Sequence, residues 1–308
     1  MNTRSLLVAD DLQISNEIPK NRSLAVQRLG SDLSVLLSCP ADLVYVHPLD
    51  EQLGRKILTS DSRQKIIDNT LKKHEHALRN FQRPGKLIIK TGWPIEELVK
   101  LVGKKSRFEA LVLGTRSLKS LERFFLGSTS EEVVRHTQRP VFIMGPEAVK
   151  NEFRLSEHKK MHFLVVTDLT KKCRAVETYA VSLAKKTGAS LTFFHSLAET
   201  MSTAQQFAYA SGEALSTFNT IFEDMKKDAE NTLSKKVERL KRMGLDCHFY
   251  IETENENLVE SALQLEHENV QLIFMGHQTH GFVASTVLGS NLRAMVAEAK
   301  VPVVVVRS

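Results

Sequence analysis

The chain carries one pattern twice, and this repeat constrains its fold more than any other feature. "LVLGTRSLKSLERFFLGSTSEEVVRHT" (111–137) and "IFMGHQTHGFVASTVLGSNLRAMVAEAKVPVVVV" (273–306) each close an apolar run on a glycine and reach Leu-Gly-Ser thirteen residues later. Gly114 corresponds to Gly276, Gly127 to Gly289 and Pro140 to Pro302, all at one constant offset. Self-similarity at three landmarks with one offset marks two copies of a structural unit rather than a chance loop.

The starts of the copies agree as well. "SLLVADDL" (5–12) and "HFLVVTDLT" (162–170) are short apolar runs that end in an acid, Asp11 and Asp168. "RSLAVQRLGSDLSVLLS" and "AVETYAVSLAKKTGA" follow, with apolar residues at the three- and four-residue spacing of a helix. Second strands end on His47 and His195, long polar helices cover about 52–80 and 215–243, and strands "KLIIKT" and "CHFYIE" come next. An amphipathic helix, the glycine-bearing strand, a last helix and a last strand complete each copy. Short apolar strands alternating with helices predict an α/β fold: two tandem doubly wound parallel sheets with helices on both faces. The domains expected are residues 1–150 and 158–308, joined by the polar stretch "EAVKNEFRLSEHKK".

Composition removes several function classes. With 42% hydrophobic and 25% charged residues the chain reads as globular, and its longest apolar run, "VPVVVV", is far too short to span a bilayer. Asp10 and Asp11 interrupt any signal-peptide core. Cys39, Cys173 and Cys247 are widely spaced and odd in number, which argues against a disulfide framework and suits a cytoplasmic location. The net charge of +6 comes from dispersed lysine pairs with few aromatics, so neither nucleic acid nor membrane is expected as a partner.

In an open parallel sheet, ligands sit beyond the carboxyl ends of the strands where strand order reverses. Gly114 and Gly276 stand at strand ends, where a missing Cβ admits close approach. Gly127-Ser128 and Gly289-Ser290 open the last helix of each copy, and a helix start offers free N–H groups and a positive dipole end to an anion. Strand-end glycine, loop and Gly-Ser thus read as a phosphate cradle, with loop glycines and N-capping serines as the alternative.

The two halves resemble tandem universal stress protein domains over nearly the whole chain. The resemblance rests on "VADD" and "VVTD" and on the two glycine segments running into Pro-Val and a last strand. It implies five-stranded sheets of order 3-2-1-4-5, ATP as cofactor with Mg accompanying it, and pairing through the last strand. It assigns Asp11 and Asp168 to the adenine and ribose, and Pro48 and Ser196 to the position after the second strand's histidine. Gly114 and Gly276 match the first motif glycine, and Ser117 and Thr279 stand where the family has its second. Gly127, Ser128 and Thr129, with Gly289, Ser290 and Asn291, match the phosphate-binding pair and the residue after it. A Cβ at Ser117 and Thr279 narrows that loop, and only the first half keeps the family's glycine after the third strand, Gly92. Two functions follow: a stress-response regulator that binds adenine nucleotide, or a stress-response scaffold whose degenerate sites bind none.

No general base or carboxylate cluster lies at the phosphate end, so no catalytic residue is expected and at most slow ATP hydrolysis. His277 with His280, and His74 with His76, lack further ligands at metal-binding spacing, so no metal site is expected. Cys173 follows Lys171-Lys172 near a helix start, where a thiol pKa can fall, although an inert cysteine is the default. The last strands, Pro140–Met144 and Pro302–Val306, would each leave an apolar sheet edge, so they are expected to pack together in one chain as a pseudo-dimer, with a homodimer as the alternative. Protein partners are not named by the sequence.

Overall fold

The computed structural model describes residues 4–12, 17–48, 59–103, 106–115, 128–157, 160–198, 200–202, 206, 215–255, 257–266, 269–277 and 288–307. The chain divides into two compact units, residues 1–159 with 277–307 and residues 160–276.

In the first unit β1 (Ser5–Ala9), α1 (Glu17–Leu36), β2 (Ala41–Pro48), α2 (Ser60–His74), β3 (Pro84–Gly92), α3 (Pro94–Leu101), β4 (Phe108–Gly114), α4 (Ser128–His136), β5 (Val141–Met144) and α5 (Pro146–Lys150) follow in order. The strands lie parallel as β3-β2-β1-β4-β5, so strand order reverses between β1 and β4. Leu6, Leu7, Val8, Leu111 and Val112 are wholly buried. Continuous apolar runs, rather than alternation, are what a parallel sheet covered on both faces requires. Local chemistry sets the helix starts: Thr59 accepts the Ser62 N–H at 3.2 Å ahead of α2, and α3 opens on Pro94 with Glu96 and Glu97 in its first turn. The polar helix expected over 52–80 is shorter among the described residues, ending at His74 before a 3₁₀ turn at Ala77–Asn80.

The second unit holds β6 (His162–Val166), α6 (Arg174–Thr187), β7 (Ser190–Ser196), α7 (Leu215–Arg242), β8 (Cys247–Glu252), α8 (Leu258–Glu266) and β9 (Leu272–His277) up to Gly276. Its strands run parallel as β9-β6-β7-β8, the same winding as the first repeat. Phe163, Phe193, Phe194 and Phe274 form its core, with the Phe163 and Phe274 rings 5.3 Å apart.

The end of the second repeat, α9 (Ser290–Glu298) and β10 (Val303–Arg307), belongs to the first unit. There β10 pairs antiparallel with β5: Val303 with Ile143, Val304 with Phe142, Val305 with Val141. Val304 and Phe142 hold the same place in their repeats, so a local two-fold passes through that pair. The edge of β5 is thereby covered by hydrogen bonding. Gly145 shows how close α9 comes: a Cβ there would lie 2.0 Å from the Val296 carbonyl oxygen, and its backbone angles are ordinary. Glycine is needed there for space. Among the described residues no helix is long and apolar enough to cross a membrane.

Candidate functional site

Strand register decides which residues of the two repeats correspond. Ala9 of β1 sits beside Val44, and Val166 of β6 beside Phe194; Asp10 and Thr167 then donate their N–H groups to the Val44 and Phe194 carbonyls. Asp11 and Asp168 are therefore counterparts. Val8 faces Val112 and Val165 faces Phe274, which makes Gly114 and Gly276 counterparts too. The histidines are not. His195 lies one residue beyond Phe194 and so matches Tyr45, while His47 lies further along. Pro48 and Ser196 likewise do not correspond, because the ladder sets Ser196 at the level of Val46. A strand ends where its hydrogen bonds end, and β2 and β7 end at different levels.

Each acid is followed by a leucine in the left-handed region, Leu12 at φ 50° and Leu169 at φ 61°. Such a backbone costs about 1 kcal/mol or more for a non-glycine residue and collects at functional turns. It turns the chain sharply as it leaves the sheet. Next to the acid, a polar contact ties the strand end to the first helix in both repeats, with the roles exchanged. In the first, the Asp10 carboxylate accepts from Ser23 and from Gln27 Nε2, the latter at 2.7 Å, and burial raises its pKa. In the second, Thr167 donates its hydroxyl to Glu177 at 2.7 Å, and Lys236 reaches the same carboxylate at 2.6 Å.

In the first repeat the described residues among those predicted, Asp11, Pro48, Gly114, Ser128 and Thr129, lie within one unit. Asp11 follows β1 and Gly114 ends the adjacent β4, at the point where strand order reverses. Ser130, in the first turn of α4, donates its hydroxyl to the Gly114 carbonyl at 3.1 Å and so fixes that helix start beside the strand end. Arg22 of α1 ion-pairs with Asp11, and its stem lies over Gly114: a Cβ on the glycine would meet Val26 Cγ2 at 2.7 Å and Arg22 Cγ at 3.0 Å. The space left by the glycine is filled by α1 side chains. Tyr45 stands close enough to Asp11 that burial first, and the carboxylate second, raise its phenol pKa. Its hydroxyl lies 3.4 Å from His47 Nδ1, and its ring is 6.3 Å from that of buried His74. Pro48 closes β2, and Thr129 lies half-buried in the first turn of α4 beside Ser128. Ser117 and Gly127 lie outside the described residues.

In the second repeat the predicted residues fall in different units. Asp168, Ser196 and Gly276 lie in the second, whereas Gly289, Ser290 and Asn291 lie exposed at the start of α9 in the first. Asp168 accepts the Thr170 N–H at 2.8 Å. Gly289 is the N-cap, no side chain caps the helix there, and a Cβ on it would meet nothing within 4 Å. Thr279 lies outside the described residues. Glu131 of α4 accepts the Leu288 N–H at 3.2 Å and stands 3.7 Å from Arg293, a contact between helices of the two repeats that the sequence reading did not anticipate.

Buried polar atoms without a hydrogen-bond partner among the described residues include Asp11 Oδ1, Thr115 Oγ1, Ser196 Oγ and His277 Nε2. All four sit at carboxyl ends of strands, whereas Ser5 Oγ lies at the opposite end of β1. Each such atom costs about 1–3 kcal/mol when nothing bonds to it. Cys173 is buried, and burial raises its thiol to about 11, so the flanking lysines do not activate it. Among the described residues no group of three or more His, Cys, Asp or Glu side chains is placed to hold a metal ion.

Fold and repeat together define a tandem, doubly wound α/β protein with its candidate site at the β1–β4 switch point. The chain belongs to the universal stress protein family, whose model matches residues 7–144 and again 161–307. It is similar over 100% of its length, and over 99% of the other chain, to a universal stress protein from Archaeoglobus fulgidus DSM 4304, with 21% identity and a TM-score of 0.67. A Pseudomonas aeruginosa UCBPP-PA14 protein provisionally assigned to the same family is 9% identical, covers 99% of this chain and 93% of its own, and has a TM-score of 0.58. Among curated proteins no match to this sequence is found.

Proposed function

We propose that this chain is a cytoplasmic stress-response protein that binds adenine nucleotide, ATP with its Mg, and acts as a regulator whose occupancy changes the protein partners it meets. The observation that carries the reading is the meeting of Asp11 and Gly114 at the switch point, with the start of α4 held against Gly114 by Ser130. Hydrogen-bond acceptor, strand-end glycine and helix N-terminus then stand together at the carboxyl edge of the sheet. These are the groups that a ribose, a phosphate and its charge require. Asp11 Oδ1, without a hydrogen-bond partner among the described residues, is an acceptor for a ligand hydroxyl. Tyr45, one residue beyond Val44 on the neighbouring strand β2, offers an aromatic ring to a base.

A scaffold that binds no nucleotide is the second reading, and one observation favours it: the Arg22 stem already fills the space over Gly114. Mass spectrometry of nucleotide carried through purification separates the two, followed by calorimetry with ATP on wild type, Gly127→Val and Gly289→Val. Loss of two hydrogen bonds to a charged phosphate, at about 1.5–3 kcal/mol each, takes a micromolar site to millimolar or beyond. Gly127→Val is expected to cost more, because the first repeat keeps Gly92 and the smaller Ser117. No co-purified nucleotide and no heat with wild type would leave the scaffold.

A further inference from the structure

Arg22 holds a position that neither repeat pattern nor motif assigns. Its guanidinium pairs with Asp11, its stem crosses Gly114, and its side chain is only 14% exposed, against 27% for Asp11. It thus bridges the acid after β1 and the glycine that ends β4. The pair uses one carboxylate oxygen, Oδ2, and one guanidinium nitrogen, while Oδ1 is buried without a partner among the described residues. A guanidinium carries five N–H donors in a planar fork, and among the described residues the single-nitrogen contact uses only part of that capacity.

We propose that Arg22 is the residue by which the first repeat selects a nucleoside polyphosphate over the bare nucleoside, by passing from Asp11 to the ligand's phosphates on binding. The inference rests on the nucleotide-binding reading above. A polyphosphate offers several anionic oxygens in place of one carboxylate, and its pairing with a guanidinium fork is the stronger one. Arg22 reaches it by rotating about a stem that already lies along Gly114. The transfer frees both oxygens of Asp11 to accept ribose hydroxyls. A nucleoside has no phosphate to receive the guanidinium, so it must either displace Arg22 unpaired or share Asp11 with it. Charge and hydroxyl recognition are thereby linked through one side chain. The second repeat has Lys172 in the corresponding place, ahead of Cys173 as Arg22 is ahead of Ser23, and a lysine cannot supply the same fork.

The test is calorimetry with ATP, ADP, AMP and adenosine on wild type, Arg22→Met and Arg22→Lys, each checked for unchanged thermal unfolding. Methionine keeps an apolar stem over Gly114 and removes the charge; lysine keeps the charge without the fork. Wild type is expected to favour ATP over adenosine, and Arg22→Met to weaken ATP about 10- to 100-fold while adenosine binds as well or better. Arg22→Lys is expected to fall between them. An unchanged ATP-to-adenosine ratio in Arg22→Met, or tighter ATP, would overturn the inference and make Arg22 a plug while leaving nucleotide binding in place. Binding of none of the four probes by wild type or either variant would overturn the nucleotide reading itself, and this inference with it.

Discussion

Replacing Gly145 by alanine tests whether the end of the second repeat docks on the first unit as closely as the structure has it. An alanine Cβ at this position would stand 2.0 Å from the Val296 carbonyl oxygen and 3.2 Å from its carbon. Cβ contacts under about 3 Å essentially do not occur, so α9 or the β5–α5 turn would have to move by roughly 1 Å. The obstacle is backbone, not the tip of a flexible side chain. The movement would propagate into Met295 and Val296, both buried, and into the pairing of β10 with β5. Overpacking of this kind costs about 1–3 kcal/mol and occasionally more; the close approach to backbone puts this site at about 2–3 kcal/mol. Alanine gains slightly through the unfolded state, by about 0.4–1 kcal/mol, because glycine there has an ordinary backbone conformation. The net expectation is a loss of about 1–2.5 kcal/mol. For a unit of this size each kcal/mol shifts the melting temperature by about 2–4 °C, so a fall of roughly 2–10 °C is expected by calorimetry. Gly289→Ala is the control, since it too replaces an N-cap glycine and its Cβ would meet nothing within 4 Å. A Gly145→Ala protein as stable as wild type would refute the close packing of α9.

Gly92 has φ 141°, which L side chains rarely adopt, so Gly92→Ala is expected to lower the urea midpoint by the equivalent of about 1–3 kcal/mol although Glu97 leaves room for the methyl. Stability should also fall on acidification. His277 and His195 have folded pKa values depressed by burial, with Arg307 and then Arg135 adding to the effect at His277 against Glu131. The unfolded chain then binds more protons, so stability is full above about pH 6.5 and is lost as pH falls through that value toward the folded pKa. His277→Gln should flatten the difference in urea midpoint between pH 7.5 and 5.5, and an unaltered pH dependence would remove His277 from that account. Cys173, buried with its thiol raised to about 11, is expected to resist iodoacetamide in the native protein near pH 7.5 and to label only after unfolding; native labelling at neutral pH would contradict its burial.

The sequence by itself determined the repeated α/β winding and the position of the strand-end glycines. Strand cores such as Leu6–Val8 and Phe163–Val166 are apolar without alternation, and only a sheet covered on both faces accommodates them. Periodicity is a local property, so it survives in one dimension. What the sequence misaligned was the pair of histidines: apolar runs show that β2 and β7 exist, whereas the ladder with β1 and β6 sets where each stands, and it matches His195 to Tyr45. Nor could it show that Arg22 would span Asp11 and Gly114, that Glu131 would take the Leu288 N–H, or that α9 would pack on Gly145. Gly114 and Glu131 meet partners far along the chain, and for all of these residues the choice of partner depends on side-chain direction and helix approach. Those are fixed only when the layers pack, because close packing and the cost of an unpartnered charge select one arrangement among many that the same local pattern allows.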